Sequence, residues 1–194
     1  YMLRRALAGQ VCTPSPALAS IPFDLAFLLL MGVRLLFSVP VQLKANWIFR
    51  LTEGASPGEY LAGVRKFVIL LGVLPLVLLP APLYATVWGA SAALRHSVLV
   101  LLVALLALET VLWSFPKIPF TCSMLPGKAD LKVRFGVYFV LLTTLSLVLG
   151  LIDYLMMLSA GAFLCLAGMG VVGYGFVVRA RNRHESEGWR FLFE

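Results

Sequence analysis

Charged residues are few in this chain. Asp, Glu, Lys and Arg make up 13% of its 194 residues, about half the share of an average soluble domain. With 61% hydrophobic residues and a mean hydropathy of +0.95, a chain of this length has too little polar surface to cover a water-soluble core. Cysteine is equally sparse. Cys12, Cys122 and Cys165 are odd in number and far apart, which excludes a disulfide framework and any zinc or redox spacing. Histidine occurs only as His96 and His184. His184-Glu185 lacks the second histidine of a zinc-protease helix, and His96 has no ligand set around it in the sequence. No phosphate loop is present either: Pro126-Gly127-Lys128 has Cys at 122 where glycine is needed and Ala at 129 where Ser or Thr is needed. No Ser/His/Asp or Cys/His arrangement emerges. The sequence therefore implies no catalytic residue, no metal and no cofactor.

What the chain does have is a set of long apolar runs with cations in the gaps between them. The net charge of +7 does not describe a nucleic-acid binder, because the basic residues sit beside apolar runs instead of forming a tract with interleaved aromatics. The pattern is that of an all-α, polytopic transmembrane helical bundle embedded in a lipid bilayer. About five spans are expected, at 21–39, 67–88, 97–115, 135–152 and 154–178. The first, as a helix, is about 28 Å long, enough to cross.

Between the first two spans, residues 41–51 are too short to span. On a helix, Gln42, Asn46 and Arg50 share one narrow face, which suits a helix lying in the interface with Trp47 at headgroup depth. A frayed continuation of the first span fits the same residues. Ser56 with Glu59 forms a capping box, and Pro57 fits the first helical position, so a helix should start there and enter the membrane at Phe67. Pro75, Pro80 and Pro82 should kink or break the second span. Pro116, Pro119 and Pro126-Gly127 mark the 116–134 loop, and Asp153 reads as the turn of an antiparallel hairpin joining the last two spans. The expected organisation is an extracytoplasmic segment 1–20, one membrane domain 21–178 and a cytoplasmic tail 179–194. The first residue, Tyr1, and the abrupt aromatic end of the tail suggest a fragment of a longer chain. Ala17-Leu18-Ala19 resembles a signal-cleavage triplet, but the stretch before it is too polar for a signal peptide.

The cations set an orientation. Lys44, Arg50, Arg65, Lys66, the four in 116–134 and the four from Arg179 onward fall on one side, against Arg4, Arg5 and Arg95 on the other: twelve against three. The positive-inside rule then places the N-terminus outside and the C-terminus in the cytoplasm, in what is expected to be a bacterial cytoplasmic membrane. Tyr84, Trp88 and Tyr154 mark the outer aromatic belt, and Trp47, Trp113, Tyr138 and Tyr174 the inner one.

Within the spans, Glu109 is the sharpest functional candidate. It lies about 9 Å from the cytoplasmic end of its helix, and Arg34 lies about 7–8 Å from the same end of the first span. An ionisable group at that depth must be paired or wet. The two are expected to pair, or to line one polar cavity. The alternative is that Arg34 snorkels to the headgroups and Glu109 is a hydrogen-bonded neutral acid. Asp24 is placed at the outer interface, hydrated. Gly161, Gly168 and Gly175, at seven-residue spacing, with Cys165 between the first two, form a small face suited to close helix packing.

One stretch resembles a known family. The order of Val41 to Leu51, then Ser56-Pro57-Gly58-Glu59, then Arg65-Lys66 is similar to the cytoplasmic coupling helix, Ser-Pro turn and basic-ended helix of permeases of ATP-binding-cassette exporters of the second bacterial type. The resemblance covers about thirty residues. Those permeases have six spans with both termini inside, so five spans would match a domain without its first helix. The Asp153 link departs from the family, leaving no room for the extracellular helices usual before the last span. The resemblance implies that 41–66, with Gln42, Lys44, Asn46, Arg50, Arg65 and Lys66, contacts a separate cytoplasmic ATPase subunit.

Two functions compete. A transporter membrane subunit predicts a polar cavity near Arg34 and Glu109. A structural or assembly subunit, in a homo- or hetero-oligomer, predicts Glu109 buried against neighbours and the glycine face against another helix. An integral membrane enzyme would need several polar residues converging at one interface, and the sequence offers few.

Overall fold

The computed structural model describes residues 14–37, 57–113 and 131–186. The proposed interfacial helix 41–51, the capping box at Ser56 and most of the 116–134 loop lie outside the described residues. So do the first 13 and last eight positions. Among the described residues there are helices and no strand. Helix α1 is Pro16–Phe37. The second span comprises α2 (Pro57–Val68), a π-helical turn (Ile69–Val73), α3 (Leu74–Leu78) and α4 (Ala81–Trp88). Helices α5 (Ala90–Trp113), α6 (Leu131–Leu158) and α7 (Ala160–Ser186) follow. Five helical segments are long and apolar enough to cross a bilayer: 16–36, 61–88, 90–113, 139–158 and 160–183. The protein is an integral membrane helical bundle.

Several span limits move from their expected places. Helix α1 starts at Pro16 instead of 21, because Ser15 caps it: its Oγ accepts a hydrogen bond from the Leu18 N–H at 3.3 Å, and Pro16 fills the first helical position. The third span starts at Ala90 instead of 97. Only Gly89 interrupts the chain there, with φ of +85°, a conformation open to glycine and costly for other residues. The hairpin between the last two spans turns at Ser159, not at Asp153. Ser159 accepts from the Ala162 N–H at 3.4 Å to start α7, while Asp153 remains inside α6. Helix α7 continues through Arg179 and Arg181 into what the sequence marks as tail.

The second span absorbs its prolines in two ways. The buried positions from residue 61 to the end of α3 are Leu61, Arg65, Val68, Val73 and Val77. They step by four and three, then by five across the π turn, then by four. The wider turn inserts one residue just before Pro75 and keeps a single face toward the bundle. The chain then turns at Leu79 and Pro80 and resumes as α4.

Residue pairings give the helix directions. Phe23 meets His96 and Arg34 meets Val111, so α1 and α5 run parallel. Leu102 meets Gly170 and Glu109 meets Arg181, so α5 and α7 also run parallel. Asp24 faces Ser146 while Ser20 faces Gly150, so α1 and α6 are antiparallel. Helix α5 is central. Leu108 and Leu112 pack with Leu30 and Val68, and Leu99 and Val100 pack with Phe23, Phe27 and Val77. Large apolar side chains point outward from the rim, among them Leu79 at 78% exposed and Phe176 at 74%. Lipid, not water, suits such a surface.

Candidate functional site

Helix α5 is mostly apolar, and its buried polar positions are His96 and Glu109. They are separated by about 20 Å along the axis, so both fall inside a hydrocarbon layer about 30 Å thick, one toward each side. Each gathers partners from other helices.

At the end of the bundle where α5 finishes, Glu109 is 2% exposed. Its Oε1 accepts a hydrogen bond from an Arg181 terminal nitrogen on α7 at 2.6 Å. Its Oε2 lies 3.5 Å from Nε of Arg65 on α2, itself 6% exposed. One carboxylate thus ties three helices together through two guanidinium groups. Burial of a charge at this depth is tolerated because it is paired. Arg34, at the same level, does not join it. Its terminal nitrogen donates instead to the Val111 carbonyl at 2.5 Å. Val111 is in the last turn of α5, where main-chain carbonyls have no helical donor, and a cation there also opposes the negative end of the helix dipole. The expected Arg34–Glu109 pair is therefore replaced by two separate contacts. The sequence singles out this carboxylate by its depth in an apolar run. It missed Arg181, because the helix was expected to stop at 178.

The opposite end has a matching device. Arg95 donates to the Met157 carbonyl at 2.9 Å, in the last turn of α6. His96 Nδ1 and the Asp153 carboxylate form a hydrogen bond with both side chains 1% exposed. Tyr84 and Trp88, stacked at 4.6 Å between ring centroids, stand nearly perpendicular to the imidazole at 4.8 and 5.4 Å, and Phe23 adds a further perpendicular contact at 6.2 Å. Neither member of this pair was singled out as functional. Asp153 reads as a turn and His96 as a lone interfacial residue. Depth matching does not reach them, because the expected spans leave both residues in the links, and only the observed limits of α5 and α6 place each several residues inside its helix.

The chain matches no family model, no curated protein and no solved structure. Its site is therefore judged on geometry alone.

The remaining candidates separate clearly. Asp24 is half-buried and accepts from the Ser146 hydroxyl between α1 and α6. Gly161, Gly168 and Gly175 have nothing within 4 Å of where a Cβ would be, and Cys165 is exposed. Among the described residues, no helix packs against that face. Close approach occurs instead at Gly150, where a Cβ would meet the Pro16 carbonyl oxygen at 2.7 Å and Ser20 backbone nitrogen at 2.8 Å. Lys66 is exposed beside buried Arg65. Gln42, Lys44, Asn46 and Arg50 lie outside the described residues. No group of three or more potential metal ligands occurs among the described residues.

Proposed function

We propose that this integral membrane protein is the membrane subunit of a transporter, of the exporter-permease kind, with its cation-rich side in the cytoplasm of a bacterial cell and its N-terminus outside. The carrying observation is the Arg65–Glu109–Arg181 cluster. Ionisable groups held this deep between spans are expensive, and their usual use is in transport pathways and coupling. Arg65 sits on the helix that directly follows the 41–56 segment. That helix continues into the span widened by a π turn and interrupted at Pro80, and discontinuous spans are a feature of transporter sites. A cytoplasmic ATPase docking on 41–66 would bear on Arg65 and, through Glu109, on α5 and α7.

The test is purification of the tagged protein from its native membranes in mild detergent, followed by ATPase assay and cross-linking from Lys44. Co-purification of an ATP-hydrolysing subunit, cross-linked within 41–66, supports the reading. A complex of integral membrane proteins alone, without ATP hydrolysis, overturns it.

One observation favours a second reading, that of an assembly subunit in a larger membrane complex. The span 160–183 has none of its most apolar window buried inside this chain, and its Gly161, Gly168 and Gly175 face is open to another helix. The same purification decides between the two.

A further inference from the structure

Helix α7 turns its arginines two ways. Gly170 lies against Leu102 of α5, and Arg181 reaches Glu109, so positions 170 and 181 mark the inward face. Arg179 and Arg183 stand two residues either side of Arg181, each about 200° around the helix from it. Both are exposed and point away from the bundle. Met169, Val172 and Phe176 are exposed too. The series 169, 172, 176, 179, 183 advances by three, four, three and four, the spacing of one stripe along a helix. Its first three members are apolar and its last two are cations. Depth makes those cations costly. Arg181 is level with Glu109, inside the hydrocarbon layer, and Arg179 lies about 3 Å deeper along the axis. A lipid-facing cation there needs an anion within reach of its side chain. Among the described side chains, the carboxylates are Asp24, Glu109 and Asp153. Each is committed between helices, to Ser146, to Arg65 and Arg181, and to His96.

We propose that this outward stripe of α7 binds an anionic phospholipid, with its phosphate between Arg179 and Arg183 and one acyl chain along Phe176, Val172 and Met169. The two arginines are one turn apart, about 6 Å along the axis. Both planar guanidinium forks can meet one phosphate at that spacing. From Arg179 back to Met169 is about 15 Å of helix, the hydrocarbon depth of one leaflet in a core about 30 Å thick. An anionic lipid joins charge and chain in the order the stripe presents them. A second apolar helix on the same face would leave both arginines unanswered.

The test uses the full chain in mild detergent with equal amounts of dioleoyl phosphatidylglycerol and dioleoyl phosphatidylcholine, and native mass spectrometry counts the lipid retained. Phosphatidylglycerol is expected to be preferred. The preference should fall roughly tenfold in Arg179→Gln/Arg183→Gln and stay unchanged in Arg4→Gln/Arg5→Gln, which removes the same charge elsewhere. Equal retention of the two lipids, an undiminished preference in the first variant, or the same fall in both variants overturns the proposal. A second measurement needs no substitution. In vesicles, phosphatidylglycerol with a photoreactive group on one acyl chain should label residues 169–176. No label on that stripe, or cross-linking of α7 to α7 of a second copy in its place, overturns the proposal even if the substituted chains fail to fold. Lipid retention is read without ATP or a transported substrate, so its failure is distinct from failure of the transport reading.

Discussion

The arginines in this bundle divide by what they neutralise. Arg34 and Arg95 each donate to a carbonyl in the last turn of a neighbouring helix, α5 and α6 respectively. Such contacts satisfy orphan main-chain acceptors, and interhelical hydrogen bonds in membranes are worth about 0.6 kcal/mol on average and at most about 2. Arg65 and Arg181 neutralise a buried carboxylate, which carries more at stake. Removing one member of a buried ion pair typically costs roughly 3–5 kcal/mol, because the remaining charge is left without compensation. Glu109→Gln is therefore expected to lower the unfolding midpoint in detergent far more than Arg34→Ala does. Equal effects from the two substitutions would show that the Glu109 cluster is not a buried ionic tie. Arg181→Ala should fall between them, since its side chain is 17% exposed and Arg65 would still face the carboxylate.

Among the elements, α6 shows how a strongly apolar helix can still specify its packing. From residue 139 onward, Ser146, Gly150, Asp153 and Met157 are its buried positions, recurring at steps of four, three and four along one seam. Leu147, Val148, Leu151 and Leu155 on the other faces are about half exposed. Small and polar residues lead this seam, as expected where lipid is as apolar as leucine, with Leu142 and Leu149 packing beside it. Gly150→Ala puts a methyl group against backbone atoms of α1 that cannot move aside, and should cost about 1–3 kcal/mol. Gly168→Ala meets open space and should be neutral or slightly stabilising, by the helix propensity of alanine. Thermal denaturation of both variants in the same detergent checks the contrast. The π turn makes a second prediction. If it is a one-residue insertion, deleting Leu71, an exposed member of that turn, leaves the buried face in line and Arg65 near Glu109. Deleting Leu147 from α6 rotates Ser146 away from Gly150 and Asp153 by about 100°. The first deletion should preserve a folded protein at normal expression, and the second should not.

Taken whole, the molecule has five spans with α5 at the centre; α1, α5 and α7 run one way and α6 the other. The two polar clusters on α5 sit near opposite membrane faces and recruit different neighbours. The ends of α1, α5 and α7 lie together, on the side that receives most of the cations. Accessibility to a membrane-impermeant maleimide in cells tests the orientation. Ser91→Cys should be labelled in intact cells and Ile118→Cys only after permeabilisation, each in a background lacking the three native cysteines. The reverse pattern would invert the proposed topology. The resemblance to exporter permeases rests on the connection between the first two spans, so it is tested by partner capture and not by the shape of the bundle.

Membrane residence, helical class and the number of crossings were already determined by the sequence. Hydropathy over some twenty residues is a summed, local property that no tertiary contact has to supply. Glu109 was legible for a related reason: a charge in an apolar run is costly wherever the chain goes, so it must be answered by something. Which group answers it could not be read. Arg181 lies 72 positions away and Asp153 lies 57 from His96, and the pairing depends on how the helices are rotated and stacked. The apparent turn at Asp153 failed on the same ground, and the face at Gly161, Gly168 and Gly175 meets no neighbour among the described residues. A carboxylate can remain inside a spanning helix once a histidine faces it, and small residues mark a close contact only where another backbone arrives. Only the tertiary structure decided those neighbours, because partner choice among apolar helices is made by a few polar atoms and small residues whose positions around each axis exist only after packing.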